Sequence, residues 1–110
     1  MADHRARAGS LPRVVTLPAE IDLSNSGQVG NDLRAAFRPG ASVVIADLTV
    51  TTFCDTSGAR TLLVASKEAS AAHIELRLAV HEGNVRRTMR LLGLDHVLRM
   101  YPTVAEALSA

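Results

Sequence analysis

Asp55-Thr56-Ser57-Gly58 is the stretch of this chain with the most chemistry to offer. It follows the β-branched run Val43-Val44-Ile45 and leads into Leu62-Leu63. The pattern reads as a polar turn that delivers a serine to a helix start. A hydroxyl placed there can cap the helix by accepting a backbone N–H. The helix dipole also favours negative charge at that end, so the fold would tolerate a phosphate on Ser57 and a partner would see it. Two readings therefore stand side by side. In one, Ser57 is a structural cap and Gly58 permits close packing. In the other, Ser57 is a regulatory phosphoserine and Asp55 shapes its loop.

A third reading, an aspartic-protease loop, fits poorly. That enzyme carries its Asp-Thr/Ser-Gly on a β-hairpin scaffold, whereas here Ser57 intervenes and a helical pattern follows. Asp22 ends an earlier strand-like segment. The carboxyl ends of neighbouring parallel strands share an edge, so Asp22 can lie on the same rim as Ser57. It can equally be a turn residue bonding its own backbone. Cys54, beside Phe53, reads as core filling, because no adjacent basic residue would lower its pKa. His4, His73, His81 and His96 lack metal-ligand spacing, and there is neither a Gly-x-Gly-x-x-Gly nor a Walker loop. No cofactor and no metal are expected. Arg86, Arg87 and Arg90 form a basic helix face of the kind that is usually solvated.

Composition narrows the field further. The 110 residues are 47% hydrophobic, enough for a single domain with its own core. With 12 basic against 11 acidic residues and 3% aromatics, nothing favours a nucleic-acid partner. One cysteine rules out an intramolecular disulfide and fits a reducing compartment. No apolar run approaches the roughly 20 residues of a membrane helix. Residues 1–10 hold His4, Arg5 and Arg7 without an apolar core, so they are not a secretion signal. The expectation is a cytoplasmic protein without a membrane partner.

The elements that must position Ser57 follow in order. Residues 1–10 read as a flexible arm or a poor first strand, and 11–110 as the domain. A strand at 13–17 stops at Pro18, and 20–23 is a tight connection. Ser24, Asn25 and Ser26 compete to cap a helix with an apolar stripe of Val29, Leu33, Ala36 and Phe37, ended by Pro39-Gly40. Residues 42–48 form the central strand, whose consecutive apolar residues imply cover on both faces. The helix over 57–72 turns Ala59, Leu62, Leu63, Ser66 and Ala69 to the sheet, and Arg60, Val64 and Lys67 outward. Residues 74–80 alternate as a strand half-covered on one face. A third helix begins at Gly83-Asn84, with Val85, Met89 and Leu92 inward and Arg86, Arg87 and Arg90 outward, and Gly93 stops it. Residues 97–101 are a short last strand. Thr103-Val104-Ala105-Glu106 is a capping-box pattern that opens a final helix through Leu108. The alternation gives an α/β domain, a small mixed but mainly parallel sheet with helices packed on it.

Those residues carry a family resemblance. The segment from Phe53 to Arg60, placed between a strand and a Leu-rich helix, resembles the STAS domain, named after sulphate transporters and anti-sigma factor antagonists. Leu17-Pro18-Ala19-Glu20-Ile21-Asp22 is similar to that family's Leu-x-Gly-Glu-Leu/Ile-Asp segment. The stretch from Val85 to Leu94 is similar to its third helix, and that from Thr103 to Leu108 to its last. The likeness spans about residues 13–109. Ala19, Thr56 and Ala59 depart from the commoner Gly, Ser and Leu, and no first family strand is visible in residues 1–10.

The resemblance implies an anti-sigma factor antagonist, a binding switch with no catalysis of its own. Its partner would be an anti-sigma factor that is also a serine kinase of the histidine-kinase-like ATPase fold. The unphosphorylated antagonist holds that kinase and frees the sigma factor. Phosphorylation of the serine before the motif glycine, here Ser57, reverses this, and a phosphatase would reset it. The family's acidic positions map to Asp22 and Asp55. The partner surface would comprise Asp22, Asp55, Thr56, Ser57, Gly58, Arg60, Val64 and Lys67, on a monomer or weak dimer. Rival readings are an accessory subunit of a membrane transport or lipid-trafficking complex, a scaffold of a stress-signalling assembly, and a small hydrolase using Asp55 or Cys54. The hydrolase lacks a base–nucleophile pair.

Overall fold

The computed structural model describes residues 11–110. The expected arm at 1–10 lies outside the described residues. In chain order the elements are β1 (Arg13–Thr16), β2 (Glu20–Ile21), α1 (Ser26–Ala36), β3 (Val43–Asp47), β4 (Phe53–Cys54) and α2 (Thr56–Ala71). There follow β5 (Glu75–Ala79), α3 (Asn84–Leu91), a 3-10 turn (Leu94–His96), β6 (Arg99–Tyr101) and α4 (Val104–Ser109). Strands β1, β3, β5 and β6 form one sheet in that spatial order. Every pairing in it is parallel. Strands β2 and β4 make a separate parallel pair, with Glu20 opposite Phe53 and Ile21 opposite Cys54.

The two-residue period of a strand divides the core into two layers. Val44 and Ala46 of β3, with Leu76 and Leu78 of β5, point into the larger one. There they meet Val29 and Leu33 of α1, Leu62, Ala65 and Ala69 of α2, and Val85 and Met89 of α3. Most of these side chains are at or near zero exposure. Each large apolar residue so enclosed is worth about 1.5–3 kcal/mol relative to its exposed state. Ile45 and Ala79 point the other way and are covered by Ala107 of α4, with Val43, Tyr101 and Val104 alongside.

That second layer corrects one expectation. β5 is covered on both faces, because α4 folds back over it and Arg77 Nη1 donates to the Ala107 carbonyl at 2.8 Å. Four further expectations are revised. Residues 20–21 are a short strand, since their backbone pairs with β4. Ala65 at 1% exposure sits on the inner side of α2, while Leu63 and Ser66 are half-buried at its edge. Leu92 follows the end of α3 and stays 45% exposed. Arg86 turns inward, because its guanidinium meets the carbonyls of Val80 and Met100 at 3.2 and 3.5 Å where β5 and β6 end.

The stop of α3 and the start of α4 are as expected. Gly93 takes a left-handed conformation at φ 80°, which ends α3 cheaply only for glycine. Thr103 Oγ1 accepts from the Glu106 N–H at 3.0 Å and caps α4.

Candidate functional site

The site is built at the carboxyl ends of the β2–β4 pair. The Asp55 N–H donates to the Ile21 carbonyl at 3.1 Å, which carries the parallel pairing one step past the strands. Asp55 then turns the chain with an extended backbone (φ −90°, ψ −173°) and α2 begins at Thr56. Its Oδ1 accepts two hydrogen bonds, from the Gly58 N–H at 3.1 Å and from the Ser57 hydroxyl at 2.5 Å. Asp55 is therefore the helix cap, and the expectation that Ser57 caps is corrected. A cap needs extended backbone and an acceptor that reaches the N–H three residues on. Ser57 is already helical, so its hydroxyl is a donor to the cap.

Ser57 lies one residue inside the helix start and is half-buried. The Ser57 hydroxyl, then the Gly58 N–H, holds the Asp55 carboxyl below its ordinary value, with a smaller pull from the Leu23 N–H. Asp55 is consequently a carboxylate that orients the serine. Ser57 thus sits at the positive end of α2 with its hydroxyl held by the Asp55 carboxylate.

Gly58 has a steric role. A Cβ built on it would lie 2.7 Å from Ile21 Cγ2 and 2.7 Å from Cys54 Sγ. The bare backbone lets the first turn of α2 press onto the β2–β4 pair, as the sequence suggested. Cys54 is buried beneath it. Burial, and then the neighbouring Asp55 charge, pushes its thiol up to about 11, so it is a poor nucleophile.

Asp22 lies on the same rim. Its Oδ1 accepts from the Ser24 N–H at 2.9 Å and the Ser24 hydroxyl at 2.5 Å. Its carbonyl accepts from the N–H groups of Asn25 and Ser26. Asp22 thus shapes its own turn while sharing an edge with Asp55. None of Ser24, Asn25 or Ser26 caps α1 through its side chain. Asn25 is used instead to brace the turn, accepting from the Asp22 N–H and donating to the Glu20 carbonyl.

Thr56, Arg60, Val64 and Lys67 are all exposed, in one stripe running down α2 from the turn. The structure brings Asp22, Asp55, Thr56, Ser57 and Gly58 together at the rim, with Arg60 one turn away and Val64 and Lys67 further along. Two rim residues escaped the sequence reading. Leu23 is 81% exposed and Phe53 is 51% exposed. The signals were an apolar residue inside the polar turn Asp22-Leu23-Ser24, and a two-residue strand in which Cys54 takes the inward position. Among the described residues, no group of three or more His, Cys, Asp or Glu could hold a metal ion. No described helix is long and apolar enough to cross a membrane.

A parallel sheet with helices on it and a serine at a helix start above a short parallel strand pair define a family. The STAS domain profile matches residues 4–107, and the chain belongs to the STAS domain family. The chain is 24% identical over 109 residues to the anti-sigma-F factor antagonist RsfB of Mycobacterium tuberculosis, covering 99% of this chain and 84% of that protein. Its fold matches the crystal structure of an anti-sigma factor antagonist from Mycobacterium paratuberculosis with a TM-score of 0.81 at 22% identity, over 90% of this chain and 84% of the other. It also matches the Bacillus cell fate determinant SpoIIAA in its phosphorylated form, with a TM-score of 0.62 at 20% identity, over 91% and 90% of the two chains.

Proposed function

We propose that this chain is an anti-sigma factor antagonist, a cytoplasmic binding switch that holds an anti-sigma factor serine kinase and is released when Ser57 is phosphorylated. The observation that carries the reading is the placement of Ser57. Its hydroxyl stands at the positive end of α2, bonded to a carboxylate that is itself the cap. The names of the relatives support the same reading, SpoIIAA being a relative in fold that exists in a phosphorylated form.

The mechanism is electrostatic. Phosphorylation replaces a neutral hydroxyl by about −1.5 to −2 charges at neutral pH. The helix end compensates part of that charge, so the domain stays folded. A partner surface packed on the rim must desolvate the phosphate or withdraw. Asp55, already anionic, sharpens the repulsion. Asp22, Thr56, Arg60, Val64 and Lys67 would line the contact, and Gly58 would hold its geometry. The kinase brings ATP and magnesium, a phosphatase restores the hydroxyl, and the chain contributes no catalysis.

The test is titration calorimetry of wild type, Ser57→Ala and Ser57→Asp against the anti-sigma factor captured from the native cells, with mass spectrometry to locate phosphate. Wild type binds until kinase and ATP are added, Ser57→Ala binds and is not released, and Ser57→Asp binds weakly. Release of Ser57→Ala by kinase and ATP, with no phosphate on the chain, would sink the reading. Capture of a membrane ATPase complex in place of a kinase would move the chain to the transport-subunit reading.

A further inference from the structure

Two side chains beside Ser57 are exposed without a local reason. The turn after β2 is built by the side chains of Asp22, Ser24 and Asn25. Leu23, in the middle of it, belongs to neither core layer and is largely exposed. Phe53 is one of three aromatic residues in the chain. Phe37 packs against the larger core layer and Tyr101 against the smaller. Phe53 alone of the three keeps half its surface in water, and the next residue of its strand, Cys54, takes the inward position. Apolar residues scattered singly over a surface need no explanation. Two large ones at the junction that carries the candidate phosphoacceptor mark a contact.

Both residues adjoin the group that holds Ser57. The Leu23 N–H stands close enough to the Asp55 carboxyl to favour its charged form, and that carboxylate accepts from the Ser57 hydroxyl. Phe53 lies two residues before Asp55 on β4, opposite Glu20 of β2. A partner that covers the rim therefore meets Leu23, the Asp55–Ser57 pair and Phe53 in one contact. Inside it the neutral Ser57 hydroxyl keeps Asp55 as its acceptor. Asp55 keeps Ser57 and Gly58 as its donors. Drying this surface thus strands few hydrogen-bonding groups. A phosphate dianion at the same point must shed its water beside the Asp55 charge, which is costly.

We propose that Leu23 and Phe53 are the apolar anchors of the partner complex, buried in an apolar pocket of the anti-sigma factor kinase, an inference that rests on the reading of Ser57 given above. The occupant follows from position, since the two side chains are continuous with the rim at which that partner is held. The carboxylates of Asp22 and Asp55 edge the patch, so the lip of the pocket is polar or cationic. Anchors of this kind concentrate binding energy near the centre of an interface, ringed by contacts that exclude water. The phosphate on Ser57 then appears where the contact is driest. Affinity from the anchors and release by phosphate are consequently coupled through one dehydrated patch.

The experiment is titration calorimetry of the full chain against the anti-sigma factor kinase isolated from the native cells on immobilised wild type. Leu23→Ala and Phe53→Ala should each weaken binding about tenfold or more, with melting temperatures near that of wild type because both residues are exposed. Leu91→Ala, at a residue of α3 as exposed as Leu23, should bind as wild type does. The loss caused by Ser57→Asp should be at least about threefold smaller in the Leu23→Ala chain than in wild type. Wild-type affinity in both Leu23→Ala and Phe53→Ala, with release still governed by Ser57, overturns the anchors and leaves the Ser57 reading standing. Equal weakening by Leu91→Ala overturns them too. An equal Ser57→Asp loss in the two chains overturns the shared dry contact. A wild-type dimer that Leu23→Ala or Phe53→Ala turns into a monomer in gel filtration gives the patch to a second copy and overturns the proposal. Failure of wild type to capture any kinase overturns both readings.

Discussion

The two strand-to-helix junctions begin alike and end differently. After β2 the Asp22 side chain is used within its own turn, and α1 starts only at Ser26. After β4 the Asp55 side chain reaches the Gly58 N–H, and α2 starts at the next residue. The difference comes from the third residue after each aspartate. Gly58 lets α2 approach Ile21 and Cys54 to within a distance no Cβ would allow. Asn25 instead ties the first junction back to Glu20 and Asp22, so the helix is delayed. One serine is consequently set in the first turn of a capped helix and the other in the turn before one.

The largest expected effect breaks the comparison at Ser57 itself. Phosphorylation there should weaken the partner complex on the order of a hundredfold, about 2.8 kcal/mol, since uncompensated interfacial charge costs several kcal/mol. Calorimetry reads the affinity, and an unchanged melting temperature confirms that the domain remains folded.

Next in size is the pair of glycines. Gly58→Ala forces a methyl against Ile21 and Cys54, and overpacking of this kind costs about 1–3 kcal/mol. Gly27→Ala meets open space at a helical position and should stabilise by about 0.4–1 kcal/mol through the unfolded chain. Urea unfolding of the two variants should therefore shift midpoints in opposite directions. Equal shifts would show that the close approach of α2 is not tight.

The aspartates give a third contrast. Asp55→Ala removes a cap and should lower the unfolding midpoint more than Asp22→Ala, which removes only turn bonds. The sign of the pH dependence follows from the lowered Asp55 pKa. A carboxylate with a depressed folded pKa contributes stability that is complete above its unfolded value of about 3.8 and is lost as pH falls through the folded one. Asp55→Asn should flatten the acid limb of a stability–pH curve, and an unaltered limb would refute the assignment.

The smallest effect is on the outer stripe of α2. Charge reversal at Arg60 and Lys67 should change stability by less than about 0.5 kcal/mol, because both are exposed. The same pair should weaken partner binding. Unchanged affinity would move the interface away from α2 and towards Leu23 and Phe53.

Much of this frame is legible in the residues. The run Val43-Val44-Ile45 announces a strand covered on both faces, and Val44, Ile45 and Ala46 are fully enclosed. The heptad-like spacing of Val29, Leu33 and Ala36 announces α1, and all three are buried. Thr103 and Glu106 announce the cap of α4. The misreadings share a cause. Arg86 looks like a solvated cation until β5 and β6 end beside it with carbonyls to satisfy. β5 looks one-sided until α4 arrives from nearly thirty residues away to cover it. Ser57 looks like the cap until the backbone of Asp55 is seen to be extended.

The sequence by itself determined the order of the four main-sheet strands and of the helices, the mainly parallel α/β class and the position of Ser57 at a helix start, but not the short β2–β4 pair. Each of these is set by local forces: side-chain periodicity, β-branching, turn residues and capping chemistry act over a few neighbours and need no third dimension. The tertiary structure alone decided which residue caps, what Gly58 touches, and that Ile21 and Cys54, the residues before Asp22 and Asp55, stand opposite each other. Those facts depend on β2 pairing with β4 across a gap of more than thirty residues. Periodicity along the chain carries no record of which strand lies beside which. The choice is made when the buried faces of distant elements find the arrangement that encloses them together.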